Sequence, residues 1–175
     1  MEEKLKLIFA NINDWLKFAE AKNAALITVD GAALFCVLNI FNENNKGLEP
    51  YKYVLIALSA ILLASVIIAF VSFIAKIKNM ECKGYKLLES DNLTFYGHIC
   101  KYSAETYLKA IYKKYEVREV DYDTISNFEK DLANQIIVNS QIVLKKIKLF
   151  NKGVLITLAG VIITIIGFIL ITCYK

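Results

Sequence analysis

Tyrosine and lysine side chains alternate between Thr106 and Arg118 and form the strongest polar pattern in this sequence. Lysine neutralises phosphate, and an aromatic ring stacks on a nucleic-acid base for about 1–3 kcal/mol. Tyrosines at helical spacing are also common in a protein core or at an interface, where the hydroxyl reaches water. The lysines could equally bind anionic lipid headgroups at about 1 kcal/mol each. The run is therefore compatible with a nucleotide site, a packed core or a membrane surface.

A single aspartate lies within the apolar part of the sequence. Asp30 is the only acidic or basic residue in three long apolar stretches. A charge at the centre of a bilayer costs about 2.5–3.5 kcal/mol on insertion scales, so such a residue usually faces protein or water. Asp30 is either a protonated or interface-facing aspartate that is tolerated near one end of a span, or it lines or gates a pore.

The last apolar stretch has a small, weakly polar helical face. Thr157, Gly160, Thr164 and Gly167 recur at steps of three and four. Such a face lets two helices approach closely and hydrogen-bond, and it could also line a narrow pore; packing is the more common outcome. We predict pore or gate positions at Asp30, Thr157 and Thr164. We assign no role to the irregularly spaced serines of the second stretch, Ser59, Ser65 and Ser72.

Catalytic and metal-binding patterns are weak. Glu119, Asp121 and Asp123 alternate and could hold a divalent ion, but an acidic turn before a helix N-terminus is the simpler explanation. The four cysteines form neither a CxxC pair nor a zinc spacing, and His98 is the only histidine. The sequence has no nucleophile–base set and no phosphate-cradling glycine loop. We predict a protein that is not an enzyme and that holds no metal or cofactor.

Three apolar stretches must position these groups, at Ala24–Phe41, Tyr53–Ala75 and Val154–Tyr174. At about 1.5 Å per residue, about 20 residues cross a bilayer core of about 30 Å, and a helix pairs its own backbone groups there. We therefore predict an all-α membrane protein with three transmembrane helices. Its predicted boundaries are helix 1 at residues 24–41, an external loop at 42–52, helix 2 at 53–75, and helix 3 with a short external tail at 153–175.

The segment 76–152 is predicted to be a helical cytosolic domain that senses a ligand, inserted between spans two and three. A helical stripe covers Ser103–Tyr115, and a capping-box pattern from Ser126 to Glu129 begins a further helix. We expect a break at Asn151–Gly153, at the membrane surface. A domain of 77 residues buries a low fraction of its surface. Oligomerisation or packing against the N-terminal segment should complete its core.

Residues 1–23 are predicted to form an amphipathic helix. Apolar residues recur there at steps of three and four, with charges on the other faces. The helix could lie on the membrane surface or pack on the cytosolic domain. The surface helix leading into span one is the interpretation we favour.

Lysine and arginine counts predict the orientation. Residues 1–23 and 76–152 together hold 18 of the 21 basic residues. Basic residues accumulate on the cytoplasmic side of short loops. With three spans, the N-terminus and residues 76–152 are therefore predicted to be cytoplasmic, with the C-terminus periplasmic or extracellular.

Three further runs resemble the Pycsar-effector family of bacterial membrane proteins. Trp15–Lys22 is similar to the motif that leads into the family's first span, and Leu93–Ile99 to its aromatic–glycine segment. The run Asp131–Ile136, followed by Asn139–Ile142 and Lys145–Lys146, resembles its helix before the last span. Together these runs cover nearly the whole chain in family order.

This resemblance implies a membrane effector of an anti-phage operon. Such effectors are controlled by a nucleotide signal, made by a neighbouring nucleotidyltransferase or cyclase, and they kill or arrest the infected cell by disrupting its membrane. The resemblance extends to the Hailong type of system, whose channel effector is held shut by an oligonucleotide. It thus implies a nucleotide ligand and leaves open whether that ligand opens or closes the channel.

We therefore predict a homo-oligomeric channel, with a tetramer as the working number, in the bacterial inner membrane. A nucleotide or oligonucleotide would control it and would contact basic side chains through phosphate and amide side chains through base edges. The predicted contacts are Tyr96, Lys101, Tyr112, Lys113, Arg118, Gln135 and Asn139. The alternative is a non-conducting membrane anchor whose cytosolic helices recruit a protein partner.

Overall fold

Helix is the only regular secondary structure among the described residues of the chain. The computed structural model describes residues 1–42, 46–74 and 86–174. Its α-helices are α1 (Glu2–Asn42), α2 (Lys52–Val71), α3 (Tyr96–Ile99), α4 (Ala104–Tyr115) and α5 (Asn127–Cys173). Short 3₁₀ helices cover Lys46–Tyr51 and Tyr122–Thr124. The predicted all-α class is confirmed.

Three helical segments are long and apolar enough to cross a membrane. They lie within Glu2–Phe41, Glu49–Val71 and Asn127–Cys173, as predicted for three spans. Helix α2 ends at Val71, four residues before the predicted end of span two. The backbone hydrogen bonds then join residues three apart instead of four, as when the Ser72 N–H donates to the Ala69 carbonyl oxygen. This 3₁₀ pattern is common in the last turn of a helix. The remainder of that predicted boundary, from residue 75, lies outside the described residues.

The predicted helix break at Asn151–Gly153 is wrong. Helix α5 runs without interruption for 47 residues, and Gly153 lies within it. A glycine inside a helix costs only about 1 kcal/mol relative to alanine, which tertiary contacts readily offset. A Cβ atom at Gly153 would lie 2.7 Å from Leu26 Cδ2 and 3.3 Å from Ser65 Oγ, so the glycine allows close packing at this point of the helix.

The chain divides into two compact units. The first, here called the polar unit, comprises Met1–Ala19 and Ala75–Lys146, of which residues 75–85 are not described. The second, here called the apolar unit, comprises Glu20–Ile74 and Ile147–Lys175. Helices α1 and α5 contribute residues to both units.

The core of the polar unit needs the N-terminal part of α1. Leu5 and Ile12 are fully buried and Ile8 is 6% exposed. They join one hydrophobic cluster with Leu93, Ile99, Tyr102, Tyr107, Leu108, Ile111, Tyr112, Ile125, Leu132, Ala133, Ile136 and Ile137. The apolar stripe of residues 1–19 therefore packs on helices α4 and α5. The favoured interpretation of this segment as a membrane-surface helix is wrong, and the packing alternative is correct.

Serine residues cap the two helices that complete this core. The Ser103 hydroxyl accepts a bond from the Thr106 N–H, and the Thr106 hydroxyl accepts one from the Ser103 N–H. The predicted capping box at Ser126 forms in part. The Glu129 N–H donates to the Ser126 hydroxyl, which in turn donates to the Glu129 carboxylate at 3.0 Å.

Val117 adopts a strained backbone conformation just beyond the end of α4. Its φ of 51° is the only positive value of a non-glycine residue in the described chain, and its side chain is 90% exposed. A left-handed conformation costs an L-residue about 1–2 kcal/mol, and a β-branched residue is poorly suited to it.

Replacing Val117 by glycine should therefore raise the stability of the polar unit by about 1 kcal/mol, because glycine adopts this conformation without strain. Urea unfolding of the purified protein in detergent, followed by fluorescence of Trp15, the only tryptophan, measures the change. Val120→Gly is the matched control, since Val120 packs against the core and its removal should destabilise. A loss of stability in Val117→Gly would contradict the strain argument.

Candidate functional site

A groove in the polar unit is a candidate ligand site. Its volume is about 460 Å³, and it is lined by Leu87, Leu88, Glu89, Asp91, Leu93, Tyr102, Thr106, Ala110, Lys113 and Lys114. The leucines and Ala110 give it an apolar surface, while Lys113 and Lys114 bring cationic groups to it. A smaller depression of about 250 Å³, lined by Lys109, Lys113, Glu119 and Val120, also includes Lys113.

Asp91 organises the polar side of this groove. Its side chain is 2% exposed and accepts bonds from Lys101 Nζ at 2.8 Å and from the Tyr102 hydroxyl at 3.1 Å. The Leu88 N–H also donates to the carboxylate, and Lys114 Nζ donates to the Asp91 backbone carbonyl at 2.7 Å. The segment before α3 is thus fixed to α4 through one aspartate.

Burial and hydrogen bonding shift the pKa values of Asp91 and Tyr102. Burial by itself would raise the pKa of Asp91, but the bonds from Lys101, the Leu88 N–H and Tyr102 outweigh burial and hold this pKa below its usual value. Burial, together with the bond to Asp91, raises the pKa of Tyr102 to about 12. At neutral pH the site therefore contains an ionised Asp91 and a neutral Tyr102.

Acidification should weaken the polar unit through Asp91. Because its folded pKa lies below its unfolded pKa, its stabilising contribution is complete above the unfolded value and is lost as the pH falls through the folded value. We expect the melting temperature to decrease once the pH is lower than about 4. Asp91→Asn should have a lower melting temperature than wild type at pH 7. Its melting temperature should also decrease less on acidification.

Asp14→Asn is the control, because the Asp14 side chain is 72% exposed and pairs only with the exposed Lys17. It should follow the wild-type profile. A wild-type acid dependence retained by Asp91→Asn would contradict the role given to Asp91.

Two of the seven predicted ligand contacts belong to this groove region. Lys113 lines the groove and is exposed, 3.7 Å from Glu89. Lys101 is directed to the groove residue Asp91 and is 10% exposed. Lys113 is therefore the predicted contact that remains most available to a ligand.

The other predicted contacts lie elsewhere in the polar unit. The Tyr112 ring is buried under the Arg118 guanidinium at 5.6 Å, and its hydroxyl donates to Glu129 at 3.0 Å. The Tyr96 ring packs against Trp15 at 5.3 Å, and burial raises the pKa of Tyr96. Asn139 donates to Asn13 at 2.8 Å, and Gln135 is exposed on α5. The role of these residues in ligand binding stays a prediction.

Sequence reasoning missed most of the groove. Leu87, Leu88 and Leu93 come from an irregular segment without helical periodicity, and the side chains that bond to Asp91 lie ten or more residues away along the chain. The run Glu89–Asn92 does carry the composition of a turn, in which an aspartate typically bonds to nearby backbone. That signal could have identified Asp91 as an organising residue.

A polar cluster within the apolar unit joins all three predicted spans. Thr157 Oγ1 on α5 lies 2.9 Å from Asp30 Oδ2 on α1 and 2.9 Å from Ser65 Oγ on α2. Asp30 and Ser65 are fully buried. Two of the three predicted pore or gate residues, Asp30 and Thr157, are thus in contact. Ser65, to which no role was assigned, is the missed member of the cluster.

The glycines of α5 allow α2 and α5 to approach closely. A Cβ atom at Gly160 would lie 2.6 Å from Ile61 Cγ2, and one at Gly167 would lie 3.0 Å from Val54 Cγ2. A Cβ at Gly153 would lie 2.7 Å from Leu26 Cδ2. The small face of the third span therefore packs within one chain, as the more common alternative required. Thr164 bonds to the Gly160 carbonyl of its own helix, and its predicted place in a pore stays a prediction.

These features define a helical membrane protein in which three helices are long and apolar enough to cross a membrane. Residues 4–173 match the family of the Pycsar effector protein domain. The chain belongs to this family, which confirms the resemblance seen in its motifs. Neither a curated protein nor a solved structure matches the chain. Family membership makes the protein a membrane effector of anti-phage defence, from a family of effectors and not of known enzymes.

Proposed function

We propose that the protein is an oligomeric ion channel controlled by a nucleotide or oligonucleotide signal. Its polar unit would lie in the cytoplasm and bind the signal, and its spans would form the conducting path. A change in the signal during infection would release ion flow, disrupt the inner membrane and arrest the cell. A cognate nucleotidyltransferase or cyclase would supply the ligand.

The groove at Lys113 is the observation that carries this proposal. Leu87 and Leu88 are half exposed and offer an apolar surface of the kind that accepts a base, and Lys113 is an exposed cation beside them. Phosphate adjoining a base would satisfy both surfaces at once. Lys109 extends the cationic edge through the neighbouring depression, so that phosphate could also be bound there.

The polar cluster of Asp30, Thr157 and Ser65 supports the assignment of a gate. In one chain Asp30 and Ser65 are buried, Thr157 is partly buried, and short oxygen–oxygen contacts join the three side chains. An ionisable group held within a bundle of spans is characteristic of ion paths and their gates. Since the three spans of one chain pack on each other, a conducting path would form between several copies, for which we retain the tetramer as the working number.

Coupling requires the ligand to bind the open and closed states with different affinities. Helices α1 and α5 contribute residues to both units. A change in these two helices would therefore affect both the groove of the polar unit and the Asp30 cluster of the apolar unit. The ligand is a nucleotide or oligonucleotide, and the measurement below decides whether it opens or closes the channel.

Currents across a planar bilayer containing the purified protein test the proposal. Candidate nucleotides are added and then withdrawn, and current should change in one of the two directions. Lys113→Gln should raise the half-maximal nucleotide concentration by about tenfold to a hundredfold, since charge-assisted hydrogen bonds contribute about 1.5–3 kcal/mol. Lys17→Gln is the control, because Lys17 is 77% exposed, pairs with Asp14 and does not line the groove.

Silence under every nucleotide condition would contradict the channel and favour the non-conducting anchor. A current with equal nucleotide sensitivity in wild type and Lys113→Gln would retain the channel but exclude the groove as its sensor.

A further inference from the structure

The oxygen cluster of the apolar unit has more close contacts than it has protons to fill them. Thr157 Oγ1 lies 2.9 Å from both Asp30 Oδ2 and Ser65 Oγ. Thr157 Oγ1 and Ser65 Oγ each lie 3.2 Å from the Gly153 carbonyl oxygen. The two hydroxyl groups carry one donor proton each, so they can form only two of these four oxygen–oxygen contacts as hydrogen bonds. The cluster therefore has an excess of acceptors.

Asp30 adds to this excess. Its side chain is fully buried, and within the described residues Oδ1 has no hydrogen-bond partner. The described lysines and arginines form no ion pair with it either. A buried carboxylate without a compensating positive charge is strongly unfavourable. The missing complement of these oxygens is therefore a cation or a proton.

We propose that the cluster of Asp30, Ser65, Thr157 and the Gly153 carbonyl binds one small monovalent cation, Na⁺. Carboxylate, hydroxyl and carbonyl oxygens are the donors that hard cations prefer. One carboxylate balances one positive charge, whereas a divalent ion would leave a net charge buried among apolar helices. The short oxygen–oxygen distances favour a small ion over a larger one.

The bound ion would cross-link α1, α2 and α5, since each helix contributes at least one oxygen. It would stabilise the packed form of the apolar unit by acting as a ligand of the folded state. This inference holds whether or not the protein conducts ions, and it concerns a bound ion rather than a transported one.

Thermal unfolding of the full-length protein in detergent tests the inference. Samples in NaCl, KCl or choline chloride at equal ionic strength are compared at neutral pH. Na⁺ should raise the melting temperature most, by about 3–6 °C at ten times its dissociation constant. Thr157→Ala and Ser65→Ala should reduce this increment. Thr164→Ala is the matched control and should retain it, because its hydroxyl bonds only to the Gly160 carbonyl of its own helix.

Equal melting temperatures in the three salts would overturn the proposal, as would a larger increment from K⁺ than from Na⁺. Stabilisation by acid in choline chloride, without any response to Na⁺, would show that a proton occupies the carboxylate instead. Because Asp30→Asn can disturb helix packing by itself, equilibrium binding of radioactive sodium to the wild-type protein provides the second measurement. Saturable binding that Thr164→Ala retains and Thr157→Ala weakens supports the site, and the absence of saturable binding overturns it.

Discussion

Replacing Ile12 by alanine should lower the free energy of unfolding of the polar unit by about 2–5 kcal/mol. Ile12 is fully buried in the cluster that also contains Tyr107, Leu108 and Ile136. Its truncation removes apolar contacts and leaves a cavity, and both effects act in the same direction. Urea unfolding followed by Trp15 fluorescence measures the loss.

Leu7→Ala is the matched control for Ile12. Leu7 lies five residues earlier on the same helix but is 72% exposed, so its truncation should change stability by no more than about 0.5 kcal/mol. Equal effects of the two substitutions would mean that the N-terminal part of α1 is not part of the core. A small loss at Ile12 alone would mean that the cavity collapses.

Replacing Gly160 by leucine should prevent α2 and α5 from packing at their native distance. The added Cβ would lie 2.6 Å from Ile61 Cγ2 and 3.3 Å from Ile61 Cβ, and isoleucine is too stiff at χ1 to move aside cheaply. Overpacking of this kind costs about 1–3 kcal/mol, and more where the backbone must shift. The melting temperature in detergent should fall by about 2–12 °C.

Two further variants separate a clash from a general effect of the substitution. Gly31→Leu should be neutral or stabilising, because nothing lies within 4 Å of a Cβ built there and helical leucine is favoured over glycine. Gly160→Ala combined with Ile61→Ala should melt higher than the sum of the single effects predicts. Additive effects would show that Gly160 and Ile61 do not contact each other.

The spans were predictable because their signal is local. Length and apolar content identify each helix without knowledge of its partner, and an isolated Asp30 is conspicuous in such a stretch. The contact of Asp30 with Thr157 and Ser65 was not predictable. Hydroxyl groups are tolerated on any face of a span, so only the packed helices reveal which serine meets the aspartate.

The N-terminal helix and the groove needed tertiary information. A stripe containing Leu5, Ile8 and Ile12 suits a membrane surface as well as a protein core, since both accept one apolar face. The groove depends on Asp91 reaching Lys101 and Tyr102, which no periodicity encodes. The helix break predicted near Gly153 was wrong because the low helix propensity of glycine is a weak local signal. Close packing of the helices overrides it.

The participation of Leu5, Ile8 and Ile12 in the core has a consequence for biosynthesis. These residues leave the ribosome before their partners from Leu93 to Ile137, which follow more than 80 positions later. At about 5–20 residues per second, the nascent N-terminal helix waits several seconds with its apolar stripe uncovered. The first two hydrophobic segments are translated in that interval, so membrane insertion precedes closure of the core. Slowed insertion should therefore expose this stripe to chaperones and proteases.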